Sequence, residues 1–234
     1  AVRSALKTLP SFVARQTKNV FARSSVQAEP RYALGRSRRA AALSTGSPLA
    51  TVLDGPVVYR YLCPMRWGDM DAQAHVNNAA FVDYLQEARV DFLLNGPPVM
   101  PRLLATGVLV VQHQVEYLAP VQFHDRGLAI DLWVDSVGAS RFVIGYEMRD
   151  GDRVAVRART TGAPYDLDGA GLRRLTGEER SVFLDSVEAG HESLRALPKQ
   201  SWTGGGHDYP LQVRWSDLDS YAHANNVKYY DYIQ

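Results

Sequence analysis

The chain has 234 residues, 46% of them hydrophobic and 22% charged, with a formal net charge of +1. That composition suits one or two ordinary globular domains and excludes a strong global field for nucleic acid or an anionic membrane. The single cysteine, Cys63, excludes an intrachain disulfide and a cysteine-rich metal site.

The first fifty residues stand apart. They carry nine Lys or Arg against one acid, Glu29, which leaves 17 basic and 24 acidic groups on the other 184 residues. An Arg-, Ser- and Ala-rich, acid-poor N-terminal stretch has the composition of an organellar transit peptide, but the plainer reading, a disordered basic extension, is preferred. On either reading residues 1–50 are excluded from the fold. No apolar run approaches the roughly 20 residues of a membrane span, because Gln112 and His113 interrupt "GVLVVQHQV". The expectation is a soluble cytoplasmic protein.

"VVYRYLCPMRW" (57–67) is rich in aromatic and β-branched residues and reads as a strand, with Cys63 packed beside Leu62 and Met65. A polar loop comes after it. In "AAFVDYLQEARVDFLLNG" (79–96), Phe81, Tyr84, Leu85, Ala88 and Phe92 recur at helical spacing, with Asn77 or Asn78 as N-cap and Gly96 as the stop. Four strand-like runs come next: "GVLVVQHQVEYLAP", "GLAIDLWVDSVG", "ASRFVIGYEMRD" and "DRVAVRARTTGAPYD", the last two joined by a hairpin turn at "RDGD". One long helix facing one antiparallel sheet is an α+β layer architecture. Thr176 followed by Glu179 is a capping box that opens a short helix within 176–190, and "PKQSWTGGGH" (198–207) reads as a linker.

The loop before the long helix, "RWGDMDAQAHVNN" (66–78), returns as "RWSDLDSYAHANN" (214–226). Met65–Gln86 and Val213–Gln234, 148 residues apart, share 11 of 22 positions, including both aspartates, the histidine and both asparagines. So long a period makes the repeated unit a whole domain rather than a solenoid turn. The expected organisation is one domain over 51–190, a linker over 191–207, and the start of a second, truncated domain over 208–234 that comprises a strand and half a helix.

The D-x-D-x-x-x-H-V-N-N element before an amphipathic helix, supported by "EYLAP" (116–120), resembles the hotdog-fold acyl-CoA thioesterases of the 4-hydroxybenzoyl-CoA thioesterase type. The resemblance covers about residues 57–170 and the partial copy at 208–234. It implies a long central helix wrapped by a five-stranded antiparallel sheet, pairing of two hotdogs through their sheet edges into a homodimer, and acyl-thioester sites at the pairing interface. It also implies that the second aspartate, Asp71, is the catalytic carboxylate, with His75 and Asn78 orienting substrate; Asp219, His223 and Asn226 are the second-copy equivalents. Plant-type acyl-carrier-protein thioesterases, a related tandem group, carry D-x-N-x-H here. This chain has Gln73 at the middle position of the first copy and Tyr221 in the second, so the amide is lost in the second. Relatives commonly carry Gly where Ala74 and Ala222 stand.

Thioester hydrolysis needs a carboxylate that attacks or deprotonates water, and hydrogen-bond donors at the developing oxyanion. Asp71 can supply the first. Helix N-terminal amides near Asn78 and Ala79 can supply the second, helped by the helix dipole, with Gln73 and Asn77 beside them as substrate contacts. Plainer roles compete: Asp69 tidies the loop, Asn77 or Asn78 is simply a cap, Glu87 is a solvated charge, and Trp67 and Tyr84 are core. A hotdog hydratase or dehydratase is disfavoured because no proline lies between Asp71 and His75; a non-catalytic acyl-binding hotdog remains the other alternative. No metal or other cofactor is expected, since His113 and His124 lie on different runs without ligand spacing, and phosphate-loop and dinucleotide glycine patterns are missing.

Overall fold

The computed structural model describes residues 58–188, 190–192, 194, 195, 197, 198, 201 and 203–234. The expectation for residues 1–50 lies outside them. Strand β1 (Tyr59–Cys63) leads through a single 3-10 turn (Trp67–Asp69) and the polar loop into helix α1 (Asn78–Asn95). A short helix α2 (Val99–Thr106) is next, then β2 (Val108–Tyr117), β3 (Leu128–Val137), β4 (Phe142–Asp150), β5 (Arg153–Asp166) and the two-residue β6 (Gly171–Leu172). Helix α3 (Gly177–Asp185) closes the domain, and α4 (Lys228–Ile233) belongs to the second copy of the motif.

The sheet is antiparallel in the order β1-β3-β4-β5-β2, with β6 on β5. This curled sheet around one long helix is the hotdog arrangement, as expected from the sequence. The reason lies in α1. Phe81, Tyr84, Leu85, Ala88 and Leu93 are buried, and so are Val82 and Arg89 on flanking positions, so the helix buries more than the single stripe a flat sheet covers. A twisted sheet that curls around the helix meets this broad face with Leu128, Ile130, Leu132, Ile144, Tyr146 and Met148.

Arg89 is only 4% exposed and reaches the Tyr146 hydroxyl at 3.4 Å, so a positive charge sits inside the layer between helix and sheet. Cys63 is buried in the same core, where burial pushes its thiol up to about 12, consistent with a packing role. The capping box of α3 is formed as read: Glu179 N donates to Thr176 Oγ1 at 3.2 Å and Thr176 N to Glu179 Oε2 at 2.8 Å.

The structure corrects the sequence reading at four places. Helix α2 is an addition, because Pro97, Pro98 and Pro101 mask its apolar spacing; prolines in a first turn sit where amide partners are not required. The first strand stops at Cys63 rather than reaching Trp67, since Pro64 lacks the amide that would continue the ladder. Trp67, expected in the core, is 76% exposed and only edges onto Phe123, while Tyr84 is core as expected. The residues leading into the second motif, 208–214, form no strand, because no neighbouring strand offers them a ladder. Among the described residues no helix is long and apolar enough to cross a membrane.

Leu85 is fully buried where α1 meets the sheet. Leu85→Ala should cost about 2–5 kcal/mol of stability, measured as a lower urea midpoint at unchanged slope.

Candidate active site

The loop between β1 and α1 is held by its own polar groups. Asp71 Oδ1 accepts from Gln73 N at 2.8 Å and from His75 N at 3.1 Å, while the Asp71 amide donates to His75 O at 2.8 Å. This closed turn puts Ala74 at φ 60°, the left-handed region that favours glycine. Asp69 carries the floor: its Oδ2 accepts from Tyr84 OH at 2.7 Å and from Arg66 Nε at 2.8 Å, and its carbonyl accepts from Asn77 N at 2.8 Å. Asp69 is therefore a scaffold residue, and burial together with that carboxylate raises Tyr84 above the usual phenol range.

The second motif folds the same way. Asp219 Oδ1 accepts from Tyr221 N and His223 N at 2.9 and 3.1 Å, Tyr232 OH donates to Asp217 Oδ2 at 2.7 Å, and Ala222 sits at φ 59°. The same local bonds therefore form in both copies.

At the start of α1, Asn77 is the N-cap: its Oδ1 accepts from Ala79 N at 2.8 Å and its carbonyl from Ala80 N at 3.0 Å. This corrects one expectation. The Ala79 amide is already satisfied by the cap and is not free for an oxyanion, which leaves the Asn78 N–H as the helix-start donor without an acceptor among the described residues. Asn78 itself is exposed, with its carbonyl accepting from Tyr117 OH at 3.0 Å. Gln73 is exposed, and Asp71 and His75 are half-buried. Asp71 therefore has one oxygen fixed on loop amides, while Oδ2 has no hydrogen-bond partner among the described residues.

The second motif lies against the first domain. A cleft of about 530 Å³ runs between α1 and α4. Its walls hold Asn77, Ala79, Ala80 and Asp83 opposite their repeat equivalents Asn225, Val227, Lys228 and Asp231. Arg66, Gly68, Asp69 and Met70 extend it on the first motif's side, and Asp71 is not in its wall. Its cations are paired, Arg66 with Asp69 and Asp83, and Lys228 with Asp231 at 2.8 Å.

Hydrogen bonds cross between the copies, each glutamine meeting an asparagine that precedes the other copy's helix. Asn77 and Gln234 exchange two amide bonds at 3.0 and 2.8 Å, and Asn226 Nδ2 donates to Gln86 Oε1 at 3.1 Å. Asn226 is the repeat counterpart of Asn78 rather than of Asn77, so the contact approximates a two-fold relation without reproducing it residue for residue.

His113, which has no ligand spacing to His124 in the sequence, anchors this seam. Its Nε2 lies 2.8 Å from Asn226 Oδ1 and its Nδ1 2.9 Å from Thr160 Oγ1. Because Asn226 spends its amide group on Gln86, its oxygen must accept, so Nε2 carries the proton and Nδ1 accepts from the Thr160 hydroxyl. Burial, reinforced by the positive charge of Arg89, pushes His113 down to about 4, so it is neutral at pH 7. The only sequence signal for this role is its interruption of an apolar run. Among the described residues no group of three or more His, Cys, Asp or Glu could hold a metal ion.

The fold and this loop before α1 are those of a thioesterase-like hotdog. The thioesterase-like superfamily matches residues 65–194, more than half of the chain, and the protein belongs to that superfamily. The C-terminal domain of acyl-ACP thioesterases matches residues 203–234, which hold the second motif. No curated protein matches the chain.

Among solved structures, one described as a predicted thioesterase from Bacillus stearothermophilus aligns at TM-score 0.50 and 14% identity, over 57% of this chain and 99% of its own. A thioesterase from Thermus thermophilus, complexed with coenzyme A and zinc, aligns at 0.49 and 21%, over 57% and 96%. Slr0204 from Synechocystis, a 1,4-dihydroxy-2-naphthoyl-CoA thioesterase, aligns at 0.48 and 20%, over 55% and 96%. The first of these establishes the shared fold.

The depressed His113 fixes the sign of an acid response. The unfolded chain takes up the proton near 6.5 and the folded one only near 4, so this contribution is complete above pH 6.5 and declines as pH falls towards 4. Between pH 7 and pH 5 the parent should lose about 1–2 kcal/mol more stability than His113→Gln, read from urea midpoints at the two pH values.

Proposed function

We propose that this protein hydrolyses an acyl thioester of coenzyme A or of an acyl carrier protein to the free acid and thiol, with Asp71 as the reacting carboxylate. The observation that carries the proposal is the state of that carboxylate. One oxygen is pinned by two loop amides and the other is unengaged, at the mouth of a helix whose first amide has no acceptor among the described residues. Membership of the thioesterase-like superfamily supports the reaction class.

In this mechanism Asp71 Oδ2 either attacks the thioester carbon directly or takes a proton from an attacking water. The Asn78 N–H, at the positive end of the α1 dipole, stabilises the oxyanion that forms, and the thiolate leaves as the carbonyl re-forms. After direct attack a water hydrolyses the mixed anhydride left on Asp71; after water attack the proton held by Asp71 passes to the thiolate. His75 and Gln73 on the loop, with Asn77 and Asn78 at the helix start, border the acyl thioester. Asp219, His223 and Asn226 are their counterparts in a tandem arrangement of the 4-hydroxybenzoyl-CoA thioesterase type, the acyl-ACP thioesterase match over 203–234 being the support for the second copy.

Pairing of two chains through a sheet edge belongs to the same proposal. Among the described residues β1 pairs only with β3, and β2 only with β5, so each strand has one open edge.

Two measurements test these readings. Asp71→Asn retains an oxygen that can accept from Gln73 N and His75 N, so the loop should stay folded while thiol release from acyl-CoA falls at least about 10²-fold. Near-normal turnover in a correctly folded variant would remove Asp71 from the mechanism. In light scattering at micromolar concentration, pairing predicts a mass of about 52 kDa, twice the 26.0 kDa of one chain, and a value of 26 kDa rejects it.

A further inference from the structure

The two motifs share their turn bonds, their left-handed alanines and their tyrosine–aspartate pairs; within the turn they differ at Ala72/Ser220 and at Gln73/Tyr221, and only the second difference brings a large side chain. In the first, Gln73 is exposed and its side chain makes no hydrogen bond among the described residues. In the second, Tyr221 turns onto the first domain. Its hydroxyl donates to Leu104 O at 2.6 Å, with the Val108 amide beside the phenol oxygen. Leu104 lies in the last turn of α2, whose final carbonyls have no partner within the helix, so the phenol satisfies a group that the α2–β2 junction would otherwise leave open. Burial of the ring raises the phenol above its ordinary range.

We propose that Tyr221 closes the half-site of Asp219, so that the two motifs are unequal and acyl thioester is turned over at Asp71 alone. This rests on the hydrolase reading above. For Asp219 to react, a thioester carbon must come within about 3–3.5 Å of its carboxylate. That carboxylate is fixed to the Tyr221 and His223 amides, so any acyl chain approaching it along the seam meets the ring packed between the turn and the α2–β2 junction. The cleft between the copies extends along Arg66–Met70 of the first motif and includes none of the equivalent residues 214–218 of the second. Gln73 leaves the first turn open; Tyr221 fills the second.

The test uses the full chain and two readouts. In the Asp71→Asn background, Tyr221→Gln, which installs the first motif's residue, should restore octanoyl-CoA hydrolysis at least about tenfold, and adding Asp219→Asn should abolish the gain. Calorimetric titration of the Asp71→Asn, Asp219→Asn protein with a non-hydrolysable thioether analogue of octanoyl-CoA should give one site per chain. That number should rise to two with Tyr221→Gln and stay at one with Tyr221→Phe, which keeps the ring.

No gain in rate and no second site, in a variant with parental circular dichroism, overturns the closure whatever the parent's activity. Two sites for both the Tyr221 parent and the Gln variant also overturn it. A rise from one site to two in a protein that never releases thiol sustains the closure and rejects the hydrolase reading. Normal hydrolysis without the rise does the reverse.

Discussion

The structure depends on one constraint: α1 must hide most of its circumference. With Val82, Arg89 and Leu93 buried alongside the Phe81–Tyr84–Leu85–Ala88 face, a flat sheet would leave apolar and charged surface in water. A curled antiparallel sheet removes it, and the wrapping sets the layout of the domain. It leaves β1 and β2 at the two ends of the sheet and lines up the helix start with the loop that precedes it. It also traps Arg89 near His113, which helps keep that histidine neutral.

The candidate chemistry sits where two local devices meet. One is a turn in which a carboxylate closes on the amides of its own loop. The other is a helix start in which a capping asparagine satisfies one amide and leaves the preceding one without an acceptor among the described residues. Neither requires a buried ion or an unusual residue. Their conjunction places a half-engaged carboxylate and a polar N–H on one short segment, which an addition to a thioester carbonyl can use.

Repetition of that segment gives an internal control that single-motif proteins lack. The bonds around Asp219 reproduce those around Asp71 to within about 0.1 Å, although no second sheet surrounds the later copy among the described residues. What differs is context. Asn226 is drawn onto Gln86 and His113 and Tyr221 onto Leu104, whereas their counterparts Asn78 and Gln73 are exposed. Matching turns have been given unequal surroundings.

The sequence by itself determined the elements that short-range physics controls. These are the helix from its 3.6-residue spacing and Asn cap, the RDGD hairpin and the Thr176–Glu179 capping box, whereas the left-handed alanine of the repeated turn came only from the structure. The sequence did not determine which side chains of distant segments would share an interior. Trp67 went to solvent although its type favours burial, and α2 formed behind three prolines. The Ala79 amide was consumed by the residue two places before it. His113, unremarkable in its own strand, became the buried link between Thr160 and Asn226, which lie 47 and 113 residues away along the chain. Local patterns fix local dihedrals and caps because the interacting groups are neighbours in the chain; burial, charge neutralisation and the pairing of Tyr221 with Leu104 depend on which surfaces the curled sheet brings together, and only the tertiary structure decides that.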